Sequence, residues 1–280
     1  DPDHGIGSWS NATFLNAILL GQKPNGDDYY GAVFPFAAYA YMTPEDALDL
    51  RGYMASLPTS DAVSKAHEVN FANAMVLGRW TEEPVALSAA EGAQMQRGQY
   101  LTEALGHCGE CHTPRLTGLG FKYQRDESQA YMGESGILGG YAPNISAANL
   151  TAFAPEAFVT GTLREGKKLN GKPMTDPRMR HISDRMGQLP IEDRAAIYAY
   201  LTGTPLDAAT MPKEEPRGDT VAPVVEAVVV EDRTGAEALV ARVNAYCEAQ
   251  EVDTAALANA KVPGSVGSDP ALAAEVDALV

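Results

Sequence analysis

The chain has 280 residues, of which 45% are hydrophobic and 21% charged, which excludes a disordered or fibrous protein and favours two domains plus an extension. Acidic residues outnumber Lys and Arg 37 to 21, so the formal net charge of −16 excludes nucleic-acid binding and suits a basic protein partner. The most apolar stretch, residues 221–230, is far shorter than the roughly 20 residues of a membrane span, so no transmembrane helix is predicted.

An internal repeat is the first feature along the chain. Thr43-Pro-Glu-Asp46 and the following Leu50, Met54 and Pro58 recur with the same spacing as Pro190-Ile-Glu-Asp193, Ile197, Leu201 and Pro205. Phe14, Leu19 and Gly26 are echoed by Phe158, Leu163 and Gly171 if a shift of one residue is allowed. The repeat predicts two copies of one fold, each ending in a helix that begins near its Pro-x-Asp or Pro-x-x-Asp segment.

A second helix is predicted from Ser88 to about Leu105. Ser88 and Glu91 have the spacing of a capping box, and Met95, Tyr100, Leu101 and Leu105 form an apolar stripe. Glycines at 106, 109, 118 and 120 predict a loop after it.

The sequence Cys108-Gly-Glu-Cys-His112 follows this helix and has the spacing of a c-type haem attachment motif. Its two thiols, Cys108 and Cys111, can form thioethers to one porphyrin edge, and the adjacent His112 can ligate the iron. Zinc is an alternative, but the third cysteine, Cys247, stands without a second pair. A thioredoxin-type thiol pair is another, although it calls for a βαβ pattern and the flanks here are helical.

An electron-transfer haem has a sixth iron ligand, for which a methionine thioether is a common choice. Met174, Met179 and Met186 lie downstream of the motif, before a predicted helix over residues 189–201. Composition and spacing leave all three open, and a methionine is also a common core residue.

Three segments resemble the cytochrome c subunits of membrane-bound alcohol, gluconate and sorbitol-type dehydrogenases. They are Arg97-Gly-Gln-Tyr-Leu, Gly106 to Arg115 around the motif, and Ala142-Pro-Asn-Ile145. The resemblance continues through Leu163-Arg-Glu-Gly to the helix of residues 189–201.

This resemblance implies a role for each candidate. The axial methionine would be Met179, which lies fourteen residues before Asp193, with Met174 second and Met186 third. The backbone carbonyl of Pro143 would accept the N–H of the His112 ring.

The N-terminal stretch resembles only the later half of the family's first haem domain, because the haem-binding helix that would precede it is missing. We therefore expect a further C-x-x-C-H segment upstream in the natural protein, and Met42 as an axial ligand of that first haem or as a core residue. The chain begins at Asp1 without a basic and apolar leader, so a secretory signal is expected to have been removed or to lie outside it.

The C-terminal part begins with a proline-rich stretch, residues 205–223, which is typical of an extended linker. Helical periodicity follows over 235–251 and near 269–279. Cys247 lacks the second Cys and the His of a haem motif, so no haem is assigned to it.

Together these features predict an all-α protein with tandem class I cytochrome c domains, the first without its haem helix, and a C-terminal extension. The domain bounds are 1–83, 84–206 and 207–280. The resemblance implies electron transfer in the periplasm, from a dehydrogenase catalytic subunit to quinone, a terminal oxidase or another cytochrome. The complex would associate it with the inner membrane. The rival is a haem enzyme with an open distal position that handles thiosulfate or peroxide.

Overall fold

A computed structural model describes residues 1–29, 34–64, 84, 87, 89–118, 121–137 and 140–215 of the chain. The described residues form two compact units. Unit 1 holds those between 1 and 84 and the strand residues between 117 and 124, and unit 2 holds 87–116 and 125–215. The predicted helices over 235–251 and 269–279, and Cys247, lie outside the described residues.

The described residues of unit 1 form three helices: α1 (Asn11–Leu20), α2 (Phe36–Tyr39) and α3 (Pro44–Ala55). The Ser10 hydroxyl caps α1 by accepting the Thr13 N–H, and the Thr43 hydroxyl caps α3 by accepting the Asp46 N–H. Helix α1 packs against both others, and its apolar residues Phe14, Leu15 and Leu19 are buried.

In the described part of unit 2, the chain forms five helices and two π-helical segments. Its helices are α4 (Ala93–Gln99), α5 (Cys108–His112), α6 (Ala147–Leu150), α7 (Pro177–Met186) and α8 (Ile191–Thr202). The π-helical segments are Tyr100–Leu105, which continues α4, and Ala157–Thr162; short 3₁₀ segments occur at Glu127–Gln129 and Ala208–Thr210. Helix α4 begins at Ala93 with Gly92 as its N-cap, later than the predicted capping box.

The core of unit 2 lies where α4 and its π-helical continuation cross α8. A Cβ atom at Gly98 would overlap the carbonyl of Ala196, so only glycine lets the two helices approach this closely. Around this crossing the buried apolar side chains form one cluster: Leu101, Ile145, Leu150, Phe158, Val159, Leu163, Ile197, Tyr198 and Leu201.

Two short hairpins accompany the helices, so the predicted all-α fold is confirmed in its coarser form, as a helix-rich fold. Strands β1 (Arg115–Gly118) and β2 (Phe121–Arg125) form one two-stranded sheet. Strands β3 (Glu134–Ile137) and β4 (Gly140–Ala142) form another, antiparallel, with Glu134 opposite Ala142. The glycine-rich stretch after the motif therefore pairs its backbone groups across hairpins, and the fold is helix-rich with a few short strands.

The two units repeat one hairpin bond for bond. Gly21 and Gly166 both have left-handed φ angles, +68° and +65°, and the isolated bridges Gln22–Asp28 and Lys167–Pro173 occupy the same places 145 residues apart. Closing hydrogen bonds also coincide: Tyr29 N–H to Gly21 O at 2.7 Å, and Met174 N–H to Gly166 O at 2.8 Å. Helices α3 and α8, each of twelve residues, then follow in both copies.

Among the described residues, every helix is too short or too polar to cross a bilayer.

Candidate functional site

The Cys108–His112 helix is reached through an unusual backbone. The π-helical segment ends with the Gly106 N–H donating to Leu101 O at 2.8 Å, five residues back. His107 then takes a left-handed conformation, φ +36°, which costs energy for a residue with a Cβ atom. This bend separates α5 from the preceding helix and starts a new helix at Cys108.

His112 lies at the end of α5 and is nearly buried, with 7% of its surface exposed. Its Nδ1 lies 2.7 Å from the carbonyl oxygen of Pro143, the contact that the resemblance predicts. If Nδ1 carries the proton and donates it to Pro143, Nε2 keeps the lone pair that ligates a metal. Burial lowers the pKa of His112 below its ordinary value, although the Pro143 contact opposes this, so the ring stays neutral.

Gly133 holds the Pro143 loop against His112. Its N–H donates to His112 O at 2.7 Å, and its φ is +92°. A Cβ atom here would lie 2.8 to 3.0 Å from backbone atoms of residues 142–144. Only glycine satisfies both conditions, and the sequence interpretation did not single it out.

Both cysteines of the motif are free thiols, and both are partly buried. Burial raises the pKa of the Cys108 thiol to about 12 and also raises that of Cys111. A thioredoxin-type cysteine needs a lowered pKa to react as a thiolate, so these two thiols lack the electrostatics of a redox pair.

The three candidate methionines lie in different places. Met186 packs against the unit 2 core beside Cys108, and its methyl group lies next to Gly106. Met174 closes the hairpin, and its sulfur is 3.7 Å from the Ser183 hydroxyl. Met179 lies in the first turns of α7, half-buried, with its backbone carbonyl accepting from Ser183 at 2.9 Å. Met186 therefore contacts the surroundings of Cys108, and the choice of Met179 stays a prediction.

Met42, in unit 1, is buried directly before the N-cap of α3.

A buried group of charges surrounds the motif. The Arg125 guanidinium lies against Gly109, where a Cβ atom would overlap it. Arg125 Nη1 is 3.4 Å from Glu110 Oε1 and 3.8 Å from Glu103 Oε2, and its Nε donates to Glu127 at 2.7 Å. Burial lowers the pKa of Arg125, but these carboxylates outweigh burial and raise it. The arginine therefore stays charged over the Cys-x-x-Cys turn.

Glu103 also accepts hydrogen bonds from two tyrosines, Tyr131 and Tyr200, the latter at 2.8 Å. Burial and the nearby Glu103 raise the pKa of both phenols, so each stays protonated and donates. Tyr131 has a left-handed φ of +62°. The sequence analysis did not predict this network. A signal for it was present, because two arginines follow soon after the motif in a strongly acidic chain.

No protein-family model matches the sequence. The chain is 38% identical over 215 residues to a diheme c-type cytochrome of Cereibacter sphaeroides, which covers 73% of this chain and 69% of that protein. The chain belongs to the multihaem c-type cytochromes. It is also 30% identical over 216 residues to the fructose dehydrogenase cytochrome subunit of Gluconobacter japonicus, covering 73% of the chain and 43% of that subunit. The gluconate 2-dehydrogenase cytochrome c subunit of Pantoea cypripedii is 34% identical over 130 residues, 41% of the chain and 28% of that subunit. The chain thus spans less than half the length of these dehydrogenase subunits.

The donor set of this cytochrome fits haem c, the cofactor of the family. Two free thiols and one neutral imidazole lie on a single helical turn, and the imidazole's second nitrogen is engaged by Pro143. Within the described residues, no three His, Cys, Asp or Glu side chains form a group that could hold a metal ion by themselves. A thioether-linked porphyrin with one axial histidine is the use of these donors that matches their arrangement.

Proposed function

We propose that this chain is an electron-transfer cytochrome whose haem c is linked to Cys108 and Cys111 and ligated by His112 and Met179. The observation that supports this best is the 2.7 Å contact between His112 Nδ1 and Pro143 O, directly beside two free thiols. Bound haem c supplies one-electron oxidation and reduction at its iron. No side chain has to act as an acid or a base in this function.

The protein's own residues keep the ligand in one place. The Pro143 carbonyl fixes the tautomer and the rotation of the His112 ring, and Gly133 fixes the Pro143 loop. The apolar core of unit 2 packs against Cys108. A ligand that does not reorient when the iron changes charge favours rapid electron transfer.

The first experiment is a pyridine haemochrome spectrum of the matured chain. We expect a c-type spectrum, and its loss in a Cys108→Ala, Cys111→Ala double variant. A matured wild-type chain that is colourless or holds zinc would contradict the proposal.

Met179→Ala, Met174→Ala and Met186→Ala then identify the sixth ligand. We expect only Met179→Ala to abolish the long-wavelength absorption band of a ferric haem with a methionine ligand. Loss of this band in Met186→Ala alone would instead favour the methionine that packs beside Cys108.

Carbon monoxide distinguishes the rival function. With a methionine on the iron, the reduced protein should bind carbon monoxide slowly at neutral pH, and Met179→Ala should bind it much faster. Fast binding to the wild type would favour a haem enzyme with an open distal position.

We propose that unit 1 is the later part of a first haem domain. Helix α3 exposes Leu50, Tyr53 and Met54, and Tyr53 is 65% exposed. Their counterparts in α8, Ile197, Tyr200 and Leu201, pack at the crossing with α4 and its continuation. A second haem-bearing helix equivalent to α4 would cover the α3 face, with Met42 as a candidate axial ligand.

The haem count of the natural protein tests this proposal. We expect two haems or more per polypeptide by haemochrome and protein assay, and loss of one methionine-ligated signal in Met42→Ala. A count of one would contradict it.

The relatives' names support a dehydrogenase catalytic subunit as the electron donor, with quinone, a terminal oxidase or another cytochrome as the acceptor. The periplasm, next to the inner membrane, is the proposed compartment. Fractionation of the native cells, followed by affinity purification under mild conditions, should recover the cytochrome in the periplasmic or membrane fraction with a dehydrogenase. Recovery of haem-loaded protein from the cytoplasm would contradict this location.

A further inference from the structure

The charge of the chain reverses locally in unit 2. Residues 163–185 contain seven Lys or Arg and three Asp or Glu, a net charge of +4. The remaining residues contain 14 basic and 34 acidic side chains, a net charge of −20. The overall charge of −16 therefore conceals one strongly basic segment.

Three of the seven cations are paired. Arg164 bonds to Glu214, Lys167 to Glu165, and Arg178 to Asp176. The other four are exposed: Lys168, Lys172, Arg180 and Arg185. Within the described residues, no salt bridge joins any of these four to a carboxylate. We call these four the basic patch.

The basic patch lies on two neighbouring elements. Lys168 and Lys172 belong to the hairpin that Met174 closes, and Arg180 and Arg185 belong to α7. The two elements are in contact. The Arg180 side chain lies 4.0 Å, a van der Waals distance, from a Cβ atom built on Gly166. Ile182, also exposed, adds an apolar side chain to the same helix.

Helix α7 lies beside the haem motif. Arg178, in its first turn, is close enough for its charge to act on the Cys111 thiol, and Met186, its last residue, packs beside Cys108. Two of the four patch residues, Arg180 and Arg185, thus lie on the helix that borders both attachment cysteines.

We propose that the basic patch is the docking surface for an acidic redox protein, which exchanges electrons with the haem at this face. This inference rests on the proposed function. Four exposed cations attract and orient an acidic surface over long range, and a local patch can dominate association even when the net charge has the opposite sign.

A protein partner fits the charge distribution better than a membrane. A small acidic domain can contact the patch alone, whereas an extended anionic membrane would also repel the rest of the chain, whose net charge is −20. A second copy of the chain would also present acidic side chains to the basic patch. Sedimentation velocity tests whether the chain associates with itself through this surface.

The test uses oxidation of the reduced, haem-loaded full chain by hexacyanoferrate(III), a trianion, over a range of ionic strengths. The basic patch predicts that the rate falls as salt rises, although the net charges of both reactants are negative. Lys168→Gln, Lys172→Gln, Arg180→Gln and Arg185→Gln combined should lower the rate at low salt by about tenfold or more and reverse its salt dependence. Tris(phenanthroline)cobalt(III), a trication, should react faster with this variant.

A charge-matched control replaces Lys65, Lys213, Arg217 and Lys261, four basic residues outside the segment, by Gln. It should change the hexacyanoferrate rate less than twofold. A wild-type rate that rises with salt, or an equal loss in both variants, would overturn the inference. Because the haemochrome spectrum is recorded on the same samples, a colourless chain contradicts the proposed function, and a coloured chain with the wrong salt dependence contradicts only the docking surface.

Plastocyanin, an acidic blue-copper protein, tests recognition of a macromolecule. We expect the oxidised copper protein to be reduced faster by the wild type than by the patch variant, and the difference to vanish at high salt. Patch-dependent binding to phosphatidylglycerol vesicles would assign the surface to a membrane instead. Patch-dependent self-association in sedimentation velocity would assign it to a second copy of the chain.

Discussion

Gly133 couples two separate requirements of the site. It occupies a backbone conformation that other residues rarely adopt, and it leaves room for the Pro143 loop to reach His112. The histidine's orientation therefore depends on a residue that touches neither the ring nor the thiols.

Gly133→Ala should displace the Pro143 carbonyl from His112. We expect a loss of unfolding free energy of about 3 kcal/mol, because backbone strain and steric overlap add. Chemical denaturation gives this value, and the reduction potential of the haem-loaded variant should also shift.

The matched control is Gly171→Ala. Gly171 has a similar left-handed φ, +79°, but no atom lies within 4 Å of its built Cβ. Its loss should be only about 1 kcal/mol, with no change in potential. Equal effects of the two substitutions would show that Gly133 contributes only its φ angle.

At the scale of elements, two helical glycines differ in how closely other atoms approach them. Gly98 in α4 meets the Ala196 carbonyl of α8, whereas Gly52 in α3 has no atom within 4 Å of its built Cβ. Gly98→Ala should destabilise unit 2 by about 2 kcal/mol or more through overpacking. Gly52→Ala should stabilise α3 by about 0.5 to 1 kcal/mol, since alanine favours a helix. Thermal unfolding of both variants measures the two signs, and a stabilising Gly98→Ala would contradict the close crossing.

Glu214 anchors the segment after α8 to other residues of unit 2. Its carboxylate accepts from Thr160 at 2.8 Å, from Arg164 at 2.6 Å and from Arg194, which is only 1% exposed. Burial raises the pKa of Glu214, but the hydrogen bonds and both arginines outweigh burial and lower it. The carboxylate therefore stabilises the folded state fully above its unfolded pKa of about 4.3, and the contribution is lost as pH falls through the lower folded value.

Glu214→Gln should cost about 3 kcal/mol at pH 7, because it leaves Arg194 buried without a counter-charge. The difference from wild type should shrink as the pH falls below about 4. Urea unfolding between pH 3 and 7 measures it. Glu215→Gln is the control, because within the described part of the chain its exposed side chain forms no ion pair and only its backbone carbonyl accepts a hydrogen bond from Arg164. A constant difference across this pH range would argue against the carboxylate pairing.

For the whole molecule, sequence patterns predicted what periodicity and spacing encode. The final helices α3 and α8 and the repeat follow from capping residues and apolar spacing, and the motif follows from five consecutive residues. The start of α4 and the two hairpins were not predicted, because Gly92 lacks a capping side chain and strand pairing after the motif depends on tertiary contacts. The charge network around Glu103 was missed because its members are separated by up to 97 residues and meet only in the fold.

The repeat makes one comparison between the units possible. Leu50 in α3 and Ile197 in α8 occupy the same place, 147 residues apart, yet Leu50 is 37% exposed and Ile197 is 2% exposed. A charge placed at Ile197 would be buried without a partner, whereas one at Leu50 would remain hydrated.

Ile197→Glu should therefore unfold unit 2 or cost about 4 kcal/mol or more, and Leu50→Glu should change the stability of this chain by about 0.5 kcal/mol or less. Calorimetry of both variants measures the difference. In a longer protein that carries the proposed first haem helix, Leu50→Glu should become strongly destabilising, because the same leucine would then be covered. If Leu50→Glu changes the stability of the longer protein as little as that of this chain, no haem-bearing helix packs on the α3 face. The two units would then differ in architecture as well as in exposure.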